Sequence, residues 1–336
     1  MLEIDIILIS IFLYIVVNYT FLKYSFFLDK KFFPHKSLVS QKSIPVSGGF
    51  IFVLITAFFF RFESNFNYLI LLIFFVGALS DLNYLKSPLK RFILQISIIF
   101  VLIFLSKNFI FSIRIQFFDN LLTFSIIKYF FVIFCLLVLI NGSNFIDGVN
   151  TLLIGYFLSI TLIILLLISK YNLNTDIRNY EILFSLLLIL FVFNFFEKFF
   201  CGDGGSYAIS LLIGFYLIQI SKLDYTISPY FIACLLWYPA YECLFSMVRK
   251  KIQKSEVTGP DQKHLHQLLF IFFSKRLKFK KWIISSLTGI SINLYNLFTF
   301  LIAYLYVSQT KTLISLLIFN LVMYNFTYFI LRKVKL

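Results

Sequence analysis

The stretch GVNTLLIGYFLSITLIILLLIS, from Gly148 to Ser169, settles which solvent this chain folds in. It carries no charged residue and does not alternate polar with apolar side chains. As a helix it is long enough to cross about 30 Å of hydrocarbon. Only helices and closed barrels satisfy their own backbone in lipid, and barrel strands alternate. The stretch therefore reads as a transmembrane helix. Splitting the sequence at charges gives ten more apolar runs: Ile6 to Leu22, Ser43 to Phe60, Ser64 to Ser80, Phe92 to Ser106, Tyr129 to Ile146, Ile182 to Phe196, Gly204 to Ser221, Tyr225 to Tyr241, Trp282 to Thr310 and Thr312 to Leu331. The expected fold is all-α: a polytopic membrane helical bundle of about eleven transmembrane helices, forming one membrane domain over residues 1–336.

Composition agrees. The chain is 60% hydrophobic and 13% charged, against roughly 25% charged residues in a soluble domain. Its net charge of +15 suits cytoplasmic loops facing anionic headgroups. Nucleic acid is not an expected partner, since the basic loops carry no recognisable binding module. Cys135, Cys201, Cys234 and Cys243 form no CxxC pair and lie in or beside apolar runs, so neither a disulfide framework nor a zinc site follows. Glu3 and Asp5 precede the first apolar run and no small-residue cleavage site follows it, so a cleavable signal is not expected.

Positive charge sets the expected orientation. With the N-terminus outside and the C-terminus cytoplasmic, segments 23–42, 81–91, 141–150, 194–203, 242–281 and 332–336 face the cytoplasm. They hold 22 of the 30 Lys and Arg residues. The largest is the 242–281 loop. Every polar cluster that looks chemical falls on this same side, which points to a site fed from the cytosol at headgroup depth.

Five clusters carry that chemistry. Asn144, Asp147 and Asn150 would share a face if the preceding helix continued through them, and a carboxylate with amides at the membrane edge is costly unless used. The run Phe200-Cys-Gly-Asp203-Gly-Gly-Ser206 opens an apolar segment. Its glycines permit close approach to a ligand, and free helix N–H groups suit phosphate. Asp203 there could hold Mg²⁺, or simply cap the helix as its N-cap residue. Asp81 could serve a metal or take a proton, and Arg91 could grip phosphate; Lys86 and Lys90 read as snorkelling side chains. His264 and His266, at i and i+2, do not share a helical face, so a turning loop that brings both imidazoles to one diphosphate is expected. Lys42 precedes Pro45, Gly48 and Gly49, again giving close backbone approach beside a cation.

Taken in order, these loops resemble the polyprenyl-phosphate N-acetylhexosamine-1-phosphate transferases. The resemblance spans residues about 30 to 270. It rests on Lys42-x-x-Pro45-x-x-Gly48-Gly49; on Asp81 with Arg91 and Gln95; on Asn144-x-x-Asp147-Gly148-x-Asn150; on Phe200-x-Gly202-Asp203-x-Gly205-Ser206 with Asn194 upstream; and on His264-x-His266-Gln267. The departures are Ser80, Asn150 and Gln267, where the family pattern has Asp, Asp and His.

The resemblance implies transfer of an N-acetylhexosamine-1-phosphate from a UDP-sugar to undecaprenyl phosphate, releasing UMP and initiating a surface polysaccharide or O-antigen. It implies Asp81, Asp203 and Asp147 as catalytic residues, with Mg²⁺ (or Mn²⁺ in its place) on Asp203 and Asp81. Lys42, Arg91, His264 and His266 would hold phosphate oxygens, while Asn144, Gly148, Asn150 and Asn194 line the nucleotide with Asp147. The partners implied are the UDP-sugar, the lipid phosphate, membrane lipids and a second copy in a homodimer; the location is the bacterial cytoplasmic membrane. Two alternatives stand beside this one. One is the related phospho-N-acetylmuramoyl-pentapeptide transferase. The other is a transporter of lipid-linked substrates, which predicts inverted repeats and polar residues at several depths.

Overall fold

The computed structural model describes residues 2–28, 44–60, 64–253 and 263–335. Thirteen helices are seen among them: α1 (Leu2–Lys23), α2 (Gly48–Phe59), α3 (Ser64–Asp81), α4 (Pro88–Ser106), α5 (Gln116–Leu121), α6 (Ser125–Ile146), α7 (Leu152–Tyr171), α8 (Ile177–Phe195), α9 (Gly202–Leu223), α10 (Pro229–Ile252), α11 (Leu265–Arg276), α12 (Lys281–Leu305) and α13 (Thr310–Lys335). The one β contact among the described residues is an isolated bridge between Leu28 and Pro45.

Eight helices are long and apolar enough to cross a membrane: α4, α6, α7, α8, α9, α10, α12 and α13. Shorter apolar helices lie within α1, α2 and α3. The expected runs and the helices differ for a common reason: splitting at charges truncates a helix whose terminal charges snorkel to the interface. The short runs at 92–106 and 182–196 belong to α4 and α8, which begin earlier, at Pro88 and Ile177. Ser87 and Asp176 cap these starts by accepting from the N–H groups of Lys90 and Arg178. Among its described residues the loop expected at 242–281 is largely helix, because α10 continues through Glu242 to Ile252 and α11 fills Leu265–Arg276.

α9 is the central element. It is buried along most of its length and packs against α2, α3 and α6. Its glycine-rich start admits the neighbouring backbones. A methyl group on Gly49 of α2 would lie 2.5 Å from the Gly205 nitrogen, and one on Gly77 of α3 would lie 2.5 Å from the Asp203 carbonyl carbon. Gly49 and Gly204-Gly205 therefore serve helix approach, and Gly48 makes room for the Phe199 ring, where the sequence suggested approach to a ligand. The segment before α2 joins the same place: Phe200 N–H donates to the Pro45 carbonyl (2.9 Å) and Gly48 N–H to the Phe200 carbonyl (3.2 Å).

α10 contains Pro239, which cannot donate to the Leu235 carbonyl one turn back. The buried Tyr156 hydroxyl of α7 donates there instead, at 2.8 Å, and accepts from the Tyr238 N–H at 3.4 Å. On the other side of the proline, Gly142 of α6 rests against the Pro239 carbonyl, where any side chain would collide.

The α2–α9 contact leaves no room for a methyl group. Gly49→Ala is expected to destabilise the protein by about 1–3 kcal/mol through overpacking. A thermal melt of the detergent-purified variant checks this: a midpoint equal to wild type would show that the two backbones can separate freely.

Candidate active site

The site is built where helix ends meet. The last turns of α3, α6 and α8 and the first turns of α4, α7 and α9 bring together residues far apart in sequence. The N–H groups that open α9 have no partner within the helix, and two carboxylates from other helices accept from them. Asp81, ending α3, accepts from the N–H of Asp203 (3.0 Å) with Oδ1 and from that of Gly204 (3.2 Å) with Oδ2. Asp147, at the end of α6, accepts from the Gly202 N–H at 3.1 Å. Gly202 makes this turn at φ +75°, a conformation that side chains disfavour.

Asp203 lies in the first turn of α9 and is not its N-cap, which is Cys201. Its carboxylate faces away from the helix start and meets Arg91 and Ser80. Arg91 Nη1 donates to Asp203 Oδ2 (3.1 Å) and to Ser80 Oγ (2.6 Å), and Ser80 Oγ donates to the same Asp203 oxygen (2.7 Å). About a fifth to a quarter of each charged side chain is exposed (24% for Arg91, 21% for Asp203). The pair thus lines an accessible edge. Ser80, where the family pattern has an acid, bridges a cation and an anion.

The 144–150 segment is not a continued helix. α6 stops at Ile146, and a turn carries the chain to Thr151 at φ +67°. Asn144 stays on the site side, its Oδ1 accepting from Ser206 Oγ at 3.3 Å. Asn150 and Asn194 turn into the packed interior. Asn150 is buried with its N–H on Ser285 Oγ (2.9 Å), and both of its amide atoms lack a hydrogen-bond partner among the described residues. Asn194 is spent on backbone: Oδ1 accepts from Thr151 N–H (2.6 Å) and Nδ2 donates to the Phe199 carbonyl (2.9 Å). It clamps two turns together and so positions them.

His264 is the N-cap of α11, and Gln267 Oε1 accepts from the His264 N–H at 3.1 Å. Gln267, in place of a third histidine, therefore has a structural task. The His264 and His266 rings stack, with centroids 5.6 Å apart and planes 5° apart. His266 Nε2 lies against Gly148, so closely that no side chain fits there, and Phe145 packs on His264 at 5.2 Å. The histidines thereby join the Asp147 turn, which joins the start of α9. Lys42 lies outside the described residues.

Sequence reading missed Glu242, buried within α10, whose Oε1 lies 2.8 Å from His264 Nδ1. The signal was present: an acid within an otherwise apolar run, with Ser246 and Arg249 following on the same helical face at i+4 and i+7. Among the described residues no three or more His, Cys, Asp or Glu side chains surround one point as a preformed metal cage. What is present is an oxygen-only set: Ser80 Oγ meets the Asp203 carboxylate, and the Asp81 carboxylate lies on the backbone N–H groups of Asp203 and Gly204. That set fits a hard divalent ion which completes its shell with substrate oxygens and water.

An apolar cavity of about 550 Å³ lies between α6, α9 and α10; Leu136, Leu139, Gly214, Ile218, Leu236 and Leu244 are among its lining.

Asp81 and Asp203 should behave differently when truncated. Asp81→Ala strands two N–H groups at the α9 start and is expected to cost about 1–3 kcal/mol of stability. Asp203→Ala, at the accessible edge, should cost well under half of that. Thermal midpoints of the two variants side by side test the assignment, and equal shifts would contradict it.

Residues 64–221, which carry three of the five polar clusters, match the model of glycosyl transferase family 4. Over 305 residues the chain is 27% identical to the undecaprenyl-phosphate alpha-N-acetylglucosaminyl 1-phosphate transferase of Thermotoga maritima, covering 88% of this chain and 91% of that protein. The kinship read from the loops is thus borne out, and the chain is related to the glycosyl transferase family 4 proteins.

Proposed function

We propose that the protein transfers an N-acetylhexosamine-1-phosphate from a UDP-sugar to undecaprenyl phosphate, releasing UMP, at the cytoplasmic face of a bacterial inner membrane. The observation that carries this reading is the convergence of Asp81, Asp147, Asp203 and Arg91 on the first turn of α9, in a chain related to a protein of that activity. The proposed topology has eleven passes, the N-terminus outside and the C-terminus inside. The excess of Lys and Arg on the site-bearing side supports it.

Chemically the reaction is an in-line displacement at the sugar-linked phosphorus by the lipid phosphate, with UMP leaving. One P–O–P linkage breaks as another forms. Such transfer demands positioning and charge neutralisation more than covalent catalysis. Mg²⁺ held by Asp203 and Asp81 would supply that neutralisation at the diphosphate. Arg91 is poised to turn its guanidinium from Asp203 to a phosphate oxygen. His264, His266 and Lys42 would hold further oxygens, and Asn144, Asp147 and Gly148 would line the nucleotide. Asn194 acts one step removed, by holding the turns, and Asn150, whose buried amide has no partner among the described residues, would orient the nucleotide. The apolar cavity beside α6 and α10 suits part of a polyprenyl chain. A role in surface-polysaccharide or O-antigen initiation belongs to the same proposal.

The test is UMP release by purified protein in detergent, given undecaprenyl phosphate and a panel of UDP-sugars. Release without added lipid phosphate, or none with any donor, would defeat the proposal. Excess chelator should abolish turnover and Mg²⁺ restore it; full activity in chelator removes the metal from the mechanism.

Asp203→Asn should lower turnover roughly 10²- to 10³-fold while leaving the thermal midpoint near wild type. Ser80→Asp puts a second carboxylate beside Asp203, where like charges repel unless a cation intervenes. That variant should stay active and reach half-maximal rate at a lower Mg²⁺ concentration. A Mg²⁺ titration of both proteins decides, and an unchanged requirement would place Ser80 outside the metal's reach.

A further inference from the structure

Glu242 is an acid in the interior of α10, fully buried and without a part in the chemistry so far. Its Oε2 accepts from the Tyr324 hydroxyl of α13 at 2.7 Å, and its Oε1 lies 2.8 Å from His264 Nδ1. Ser246 Oγ, one turn along α10, approaches the same nitrogen at 3.3 Å and in turn accepts from Arg249 Nη2 at 3.3 Å. Phe145 packs on the imidazole from one side and His266 stacks on it in parallel. A buried carboxylate is expensive unless its oxygens are used, and both oxygens of Glu242 have partners.

We infer that Glu242 is a positioning residue of the site, acting through His264: it holds the ring's rotation and keeps the imidazole proton on Nδ1, so that Nε2 offers its lone pair to the P–OH of a monoprotonated substrate phosphate. An ionised carboxylate only accepts, so the imidazole nitrogen facing it donates. With Oε2 taken by Tyr324, the acceptor at Oε1 stays fixed in place. Partners of this kind set the tautomer and orientation of a working histidine. The inference rests on the reading that His264 holds a substrate phosphate. Its competitor is a purely structural one, in which Glu242 ties α10 to α13 through Tyr324 and the histidine is incidental.

The test is a double-mutant cycle on the full-length protein in detergent, with UMP release from UDP-N-acetylglucosamine and undecaprenyl phosphate as readout. Glu242→Leu keeps the packed interior apolar and removes the acceptor; it should lower turnover about 10- to 100-fold. In a His264→Gln background the same change should lower turnover less than about twofold, because its target is gone. Equal factors in both backgrounds would overturn the inference and leave the helix tie. If Glu242→Leu is not monodisperse, Glu242→Gln takes its place, with a smaller loss and the same dependence on His264. A second arm does not depend on activity. The chain has three histidines, so ¹⁵N-histidine spectra of the labelled protein resolve each ring. Wild type should show one imidazole protonated at Nδ1, and Glu242→Leu should move that proton to Nε2. Retention of the Nδ1 proton without the carboxylate would overturn the inference, even in a protein that releases no UMP.

Discussion

Everything at the candidate site depends on how α9 begins. A helix that starts at the edge of a membrane presents N–H groups with no partner inside the helix and little water to satisfy them. Here Asp81 and Asp147 reach in from the ends of α3 and α6 and accept three of these bonds. Hydrogen bonds to charged groups are worth roughly 1.5–3 kcal/mol each, so this junction holds three helices at once. The helix dipole adds to it, since negative charge is favoured at an N-terminus. The glycines of α2, α3 and α9 follow as a requirement, because the carboxylates reach the N–H groups only if the backbones nearly touch.

That arrangement also sorts the acids by task. Asp81 and Asp147 accept from the backbone of α9, while Asp203 faces outward to Arg91. Ser80 makes the pairing complete without a second negative charge, donating to the acid and accepting from the cation. The edge is therefore nearly neutral before any substrate arrives, and a diphosphate entering it competes with Asp203 for Arg91.

Much of this was legible in the sequence. Apolar runs gave the helical class, and the polar clusters named Asp81, Asp147, Asp203, Arg91 and Asn144, which do meet. What stayed hidden depends on contacts between distant segments. Nothing local says that Gly49 faces Gly205 and not a ligand, or that Asn194 spends its amide on Thr151 and Phe199. Charges misled the boundaries, because a splitting rule cannot tell a snorkelling lysine from a helix end. It cut α10 at Glu242, the residue whose burial mattered most. Gln267 read as a lost histidine, and only the cap geometry reveals its use.

The proline in α10 carries a last consequence, one about ancestry. The hydroxyl of Tyr156 stands in for the amide that Pro239 lacks, so one hydrogen bond is shared between two helices. The two positions are not free to drift separately. A lineage that loses the proline regains its own backbone bond and can then exchange tyrosine for phenylalanine at little cost. A lineage that loses the hydroxyl first must carry a stranded Leu235 carbonyl through every intermediate generation. The order of substitution is thus constrained even where the end states are equally stable. Among relatives, phenylalanine at this place in α7 should be found chiefly beside a tenth helix without the proline.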